Sequence, residues 1–238
     1  MRLCITFFFI KFFISISFSQ TFNYGPTNFD VVKKINVGEK NAFNVFRASN
    51  LASLKGVIGS PYKNTFFQIG IIYRNKDSVK TFLRYNGLND EIEIALSKDA
   101  NSSTNAVKKS ESISCKISSD FFVYKEFIDE NKFKNKGYLI KVYGGKKYNL
   151  YVRDKKVFKE GEKAKNSLEH DRPPKFIDKQ TVFIQYKSYL PKAVRLKYKK
   201  ISELIAKEDQ SKLANLKNNY RKISSIDKLI SLISSIDK

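Results

Sequence analysis

The sequence predicts a mainly β, α+β protein: an antiparallel meander, a curved or partly closed sheet, followed by short C-terminal helices. Three observations carry this reading. Through residues 59–196, apolar side chains recur at alternate positions in short runs, the pattern of strands that bury one face. Asn, Gly, Asp and Ser clusters punctuate those runs, and several are short enough to turn a hairpin. From Lys199 onward alternation stops, and Ile, Leu and Tyr return at helical spacing.

Residues 66–73 form the first expected strand, turned back by Arg74-Asn75-Lys76-Asp77. In the next, Val79, Thr81, Leu83 and Tyr85 alternate with Lys80, Phe82 and Arg84. Beyond Asn86-Gly87-Leu88-Asn89, Ile92, Ile94 and Leu96 alternate with Glu91 and Glu93. A four-residue loop sets Tyr85 opposite Asp90, Arg84 opposite Glu91 and Leu83 opposite Ile92. One face is then apolar, and Arg84 and Lys80 meet carboxylates on the other. A two-residue turn at Asn86-Gly87 would set Leu83 against Asp90 and break the alternation.

Residues 99–112 are almost wholly polar and read as an exposed loop. Strands resume at 113–117 and 121–128. Tyr138, Ile140 and Val142 then oppose Val152, Leu150 and Tyr148 across Gly144-Gly145-Lys146, where a glycine can take positive φ. Residues 154–175 read as a charged connection with a short strand near Val157-Phe158. Residues 180–186 and 193–196 are the last strands, with Pro191 confined to an edge or turn. In the tail, Ile201, Leu204 and Ile205, then Leu213, Leu216 and Tyr220, fit short helices. Ser224-Ser225-Ile226-Asp227 reads as a capped helix start, Ser224 being the cap, ahead of an apolar face containing Leu229, Leu232, Ile233 and Ile236. The two or three helices are expected to pack on the sheet.

The N-terminus follows other rules. Arg2 precedes a Phe- and Ile-rich run, and Ser17-Phe18-Ser19 stands before Gln20. A basic start, an apolar stretch and small residues before a cut form a secretory signal peptide. The run is shorter than the roughly 20 residues of a membrane span, and Lys11 interrupts it. Residues 1–19 are therefore read as removed, with cleavage between Ser19 and Gln20; a retained anchor is the competing reading. Residues 20–58 are a loosely ordered lead-in with one short element around 42–54, residues 59–196 the β domain, and residues 197–238 the helical segment. No transmembrane span is expected after signal removal.

Composition narrows the chemistry. The chain carries a formal charge of +22, and losing Arg2 and Lys11 leaves +20. Only eight residues are Arg, the side chain suited to bidentate phosphate contacts, so nucleic acid is not expected. The excess Lys reads as a solvated surface, or as attraction toward anionic envelope material such as lipid head groups. With Cys4 removed, Cys115 is alone, which excludes an internal disulfide, and its alternating context suggests a buried structural thiol. His170, the only histidine, stands in a charged loop. No metal-ligand spacing or glycine-rich phosphate loop occurs, so neither metal nor cofactor is expected.

The catalytic candidates are Glu91 and Glu93. Two strand residues on one face stand about 6.7 Å apart, a spacing paired acids use in glycoside hydrolysis. Arg84 and Lys80 opposite them favour cross-strand ion pairs instead. Asn101-Ser102-Ser103 fits N-glycosylation, and Asp77-Ser78-Val79 resembles a short bacterial O-glycosylation pattern.

Gly59-Ser60-Pro61-Tyr62, Leu83-Arg84-Tyr85-Asn86 and Asp90-Glu91-Ile92-Glu93 together resemble a group of uncharacterised exported envelope proteins of Bacteroidetes-type bacteria. Lys136-Gly137-Tyr138, Leu150-Tyr151 and Pro174-Lys175-Phe176 add to the resemblance, which covers residues 59–238. It implies location and architecture, and no reaction. The motif residues Gly59, Pro61, Tyr62, Arg84, Tyr85, Asn86 and Asp90 are its candidate binding residues. The function expected is a non-catalytic binding or structural module in the periplasm, at the outer membrane or secreted. Its partner would be an envelope protein or an anionic or apolar envelope ligand. A carrier of a lipid or other apolar ligand in a curved sheet, and a carboxylate-dependent hydrolase, are the alternatives.

Overall fold

The computed structural model describes residues 44–45, 56–100, 105–164, 166 and 169–238. The signal segment 1–19 with its Ser19–Gln20 junction, most of the lead-in, and Asn101-Ser102-Ser103 lie outside the described residues.

Among the described residues eleven strands form one mostly antiparallel sheet. The first six are β1 (Asn44–Val45), β2 (Gln68–Arg74), β3 (Asp77–Asn86), β4 (Glu91–Ala95), β5 (Asn105–Ala106) and β6 (Ile113–Ile117). They are followed by β7 (Asp120–Ile128), β8 (Lys134–Gly144), β9 (Tyr148–Lys159), β10 (Lys175–Tyr186) and β11 (Lys192–Val194). Strand β7 is the branch point. One of its edges carries β8 from Phe122 to Ile128. The other takes β6 at residues 120–123 and β11 at Ile128. A wing β6–β2–β3–β4–β5–β1 therefore leaves one end of β7, while β8, β9, β10 and β11 return to the other and close a ring. The sheet is thus curved and partly closed. It is mixed rather than purely antiparallel, because β11 runs parallel to β7 through Lys192 and Ile128.

Three apolar clusters follow from this branching. Leu83, Ile92, Cys115, Phe122 and Tyr138 lie in the core of the wing and its junction with the ring. Phe127, Leu139, Tyr151 and Phe183, one from each of β7 to β10, meet across the ring and fill its interior. The Phe127 and Phe183 rings stand edge to face at 4.9 Å. The opposite face of β9 and β10, with Tyr148, Leu150 and Ile184, receives the helices α1 (Tyr198–Ser202), α2 (Gln210–Leu216) and α3 (Ile226–Ile236). Cys115 is fully buried, and burial pushes its thiol up, so it behaves as the expected inert core residue. Among the described residues no helix is long and apolar enough to cross a membrane.

Several local expectations need correction. In the β3–β4 hairpin Arg84 pairs with Glu93, Tyr85 with Ile92 and Asn86 with Glu91, two positions from the expected register. The faces survive because a two-residue slip preserves them. The cause is Asp90, which takes positive φ (56°) and joins the loop instead of pairing with Tyr85. Asn86 Oδ1 closes that loop by accepting from the Leu88 and Asn89 amides, each at 3.1 Å. Within residues 99–112, β5 pairs with β4, and Ala106 and Val107 are buried, so that stretch is not simply an exposed loop. The short strand near Val157-Phe158 is the end of β9, paired with β10 as far as Lys159 and Lys175. Ser225, not Ser224, caps α3, accepting from the Lys228 amide at 3.3 Å.

The β8–β9 hairpin departs in a similar way. Ile140 pairs with Val152, and Val142 is an extra residue bulged between Lys141 and Tyr143. Gly145 N–H donates to the Tyr148 carbonyl at 2.9 Å, leaving Lys146 and Lys147 at the tip. Neither Gly144 nor Gly145 takes positive φ. Gly145 is needed for space instead: a Cβ there would overlap the Asp237 carboxylate and come within 2.6 Å of the Tyr143 hydroxyl. That carboxylate accepts from Lys147 N–H at 2.7 Å and from the Tyr143 hydroxyl at 3.1 Å, fastening the end of α3 to the hairpin. Gly145→Ala is expected to destabilise the fold by about 1–3 kcal/mol in urea unfolding.

A second fastening lies nearby. Asp209 accepts from Lys147 Nζ at 2.5 Å and from the Tyr148 hydroxyl at 2.9 Å. Burial pushes the Asp209 carboxyl up, but these hydrogen bonds and the Lys147 charge prevail and hold it below its ordinary 3.8. The contribution of this carboxylate is therefore complete above the unfolded value and lost as pH falls through the lower, folded one. Stability of the wild type should drop between pH 4 and more acidic buffers by more than that of Asp209→Asn, read as the urea midpoint at each pH.

Candidate functional site

The motif residues picked out by resemblance do come together. Gly59, with φ of +86°, starts a strap that crosses the β3–β4 loop. The Pro61 carbonyl accepts from Gly87 and Leu88 amides at 2.9 and 3.3 Å, and Lys63 N–H donates to the Tyr85 carbonyl at 3.1 Å. Beneath the strap lies the Arg84 guanidinium, 3.5 Å from the Tyr62 ring centroid and 4.1 Å from that of Phe67. Its Nε and Nη2 donate to Glu93 Oε2 at 3.2 and 2.7 Å, and its Nη1 to the Thr65 carbonyl at 2.9 Å. Asn86 Nδ2 donates to the other Glu93 oxygen at 3.0 Å.

This cluster satisfies itself. Arg84 and Glu93 are 4% and 1% exposed, so the values of solvent-exposed pairs do not apply to them. Both Glu93 oxygens are engaged by side chains of the cluster itself. Glu91, across from Asn86, is half-buried and stands 3.9 Å from Lys109. Burial raises its carboxyl, Lys109 lowers it, and Glu93 and Asp90 raise it further. Lys80 pairs across the strands with Ile71 on β2 and reaches neither glutamate. His170 is exposed in its loop.

Asp90, Tyr85 and the ring meet at a second polar node. The Tyr85 hydroxyl donates to Asp90 Oδ1 at 2.6 Å, and Arg153 Nη2 to Oδ2 at 3.0 Å. The Tyr138 amide reaches the same carboxylate at 3.3 Å. A Cβ on Gly137 would strike both Asp90 and Arg153, so glycine is the residue that lets β8 approach them. Burial, then the Asp90 charge, pushes the Tyr85 phenol up, so it stays a donor.

The open space lies elsewhere, beside β11. A groove of about 570 Å³ runs between β11, the end of β7 and α1. Ile128, Ala193, Val194 and Leu204 give it an apolar floor. A second cavity of about 220 Å³ adjoins it, sharing Lys192, Glu203 and Leu204 and adding Tyr186, Tyr189 and Leu190. The rim carries Lys132, Lys192, Arg195 and Lys200 against Asp129, Glu130 and Glu203. The acids are engaged. Lys200 holds Glu203 at 3.0 Å, Lys179 faces Glu130 at 3.8 Å, and Asp129 Oδ1 accepts from the Asn131 and Phe133 amides. Among the described residues Lys132, Lys192 and Arg195 have no ion-pair partner. The groove is therefore apolar below and cationic above.

Sequence reasoning found the strap cluster and missed this groove. Its residues come from the β7–β8 loop, β11 and α1, and only the parallel contact between β11 and β7 brings them together. Arg195, Lys197, Lys199 and Lys200 around the last strand were the available signal. Comparison with family models, curated proteins and solved structures finds no match to the chain.

Removing Glu93 leaves a buried guanidinium unpaired. Glu93→Ala should cost about 3–5 kcal/mol in urea unfolding, whereas Glu91→Gln, at a half-buried site, should change stability by less than about 1 kcal/mol.

Proposed function

We propose that this is an exported, non-catalytic binding protein of the bacterial cell envelope, related to the group its motifs resemble. Its groove beside β11 takes an anionic ligand with an apolar body, such as a lipid. The observation that carries the reading is the pairing of an apolar floor with three cations that have no ion-pair partner among the described residues. Charge complementarity then supplies orientation and encounter rate, and burial of the apolar part supplies affinity. The ring interior is filled by Phe127, Leu139, Tyr151 and Phe183, so the ligand rests outside the ring rather than within it. The engagement of both Glu93 oxygens by Arg84 and Asn86 supports a framework role there over hydrolysis. The basic, apolar start that ends at Ser17-Phe18-Ser19 supports export.

Sedimentation with phosphatidylcholine vesicles, with and without phosphatidylglycerol, tests the reading. Lys192→Glu with Arg195→Glu is expected to weaken binding to the anionic vesicles at least tenfold, and Leu204→Asp to weaken it too. Lys217→Glu with Lys222→Glu removes the same charge from exposed positions outside the groove and should leave most of the binding. Equal losses in the two charge-reversal variants would reduce the effect to net charge and refute the groove. N-terminal sequencing of the exported protein should begin at Gln20.

A further inference from the structure

The ring mouth carries a charge pattern that the fold itself does not explain. β9 and β10 pair antiparallel, with Thr181 opposite Arg153 and Lys179 opposite Lys155. The intervening positions are matched: Gln180 donates to Asp154 Oδ1 at 2.8 Å, and Lys156 pairs with Asp178. On the other face, which turns toward the ring, Lys155 and Lys179 stand directly across from each other. Like charges at such positions are destabilising, where an opposite pair would help.

These residues surround a cavity of about 220 Å³. Phe127 and Phe183 form its floor, with Arg153, Lys155, Lys179 and Thr181 on one side and Asn135 on the other. Arg153 is only partly used. One terminal nitrogen holds Asp90 at 3.0 Å, the guanidinium lies 5.0 Å from the Phe127 ring centroid, and its buried Nε has no hydrogen-bond partner. The acids facing the cavity are Asp129 and Glu130. Asp129 already accepts from two backbone amides and from Asn135 Nδ2 at 2.8 Å, and Glu130 stands 3.8 Å from Lys179. Lys155 has no ion-pair partner among the described residues.

We infer that the ring mouth is a site for a tetrahedral oxyanion, a phosphate or sulfate group, distinct from the groove beside β11. Lys155 and Lys179 face the anion from neighbouring strands, the Thr181 hydroxyl donates to it, and Arg153 closes the site from below. An anion between the two lysines converts their repulsion into two attractions. This accounts for a like-charge pair kept beside two matched ones. Guanidinium, ammonium and hydroxyl donors converging over an aromatic floor suit a group that offers several acceptor oxygens.

Inorganic phosphate, titrated by calorimetry at low ionic strength, is the probe. Wild-type protein should bind it saturably, and Lys155→Ala with Lys179→Ala should weaken that binding at least tenfold. The same double variant should unfold in phosphate-free buffer at a midpoint close to wild type, since loss of the repulsion offsets loss of the exposed Lys179–Glu130 pair. Thr181→Val keeps the cations and should weaken binding by a smaller factor. A parallel titration with glycerol 1-phosphate separates free phosphate from a lipid head group: tighter binding of the ester assigns the site to a head group, equal or weaker binding to the free ion. Lys192→Glu with Arg195→Glu should weaken either affinity by a much smaller factor than loss of the two lysines, so failure of the groove and failure of this site are distinguishable. Absence of saturable binding by both probes, or binding that survives loss of both lysines, would overturn the inference.

Discussion

Asp90 occupies left-handed backbone space, at a cost of about 1–2 kcal/mol for a residue with a side chain. The donors it meets there offset that cost. Tyr85 comes from β3, the Tyr138 amide from β8 and Arg153 from β9, so one carboxylate joins the wing to two strands of the ring. The surrounding sequence follows from this joint. Gly137 must lack a side chain for β8 to come near, and Asn86 must close the loop that turns Asp90 inward. A further bond supports the joint: Lys156 N–H on β9 donates to the Gly87 carbonyl of the same loop at 3.0 Å.

Much of this architecture was legible because strand periodicity is local. Alternation located β2, β3, β6 and β7 within a residue or two, and helical spacing located the tail, because each pattern reports which face of an element is buried. Register was less legible. Both hairpins slipped from the simplest pairing, one because Asp90 left its strand and the other because Val142 bulged. In each case the deciding contact joins residues distant in sequence, Asp90 with Arg153 in one hairpin and Gly145 with Asp237 in the other. No reading of alternation inside a hairpin contains that information. The ring was equally hidden, since closure rests on the single parallel contact of Lys192 with Ile128.

The strap cluster shows why a compact set of polar motif residues need not be a site of chemistry. Arg84 brings a charge into a region where desolvation is expensive, and the chain answers with a carboxylate, a carbonyl and two aromatic faces. Those partners satisfy the guanidinium entirely within the fold. Such a network specifies how the strap must sit on β3 more than it adds stability, because any other packing would strand the guanidinium.

The same criterion, applied in reverse, separates the ring from the strap. Where a polar side chain has its partners inside the fold, its presence is explained by folding. Where it faces open space beside like charges, folding alone would select against it. Lys155, set across from Lys179, and Lys132, Lys192 and Arg195 above an apolar floor belong to the second kind among the described residues, while Lys179 is shared with Glu130 at 3.8 Å. The second set borders the C-terminal helices, which cover the face of β9 and β10 with Tyr148, Leu150 and Ile184. The helices therefore do more than seal a core. α1 forms one wall of the groove through Lys200 and the adjoining Leu204.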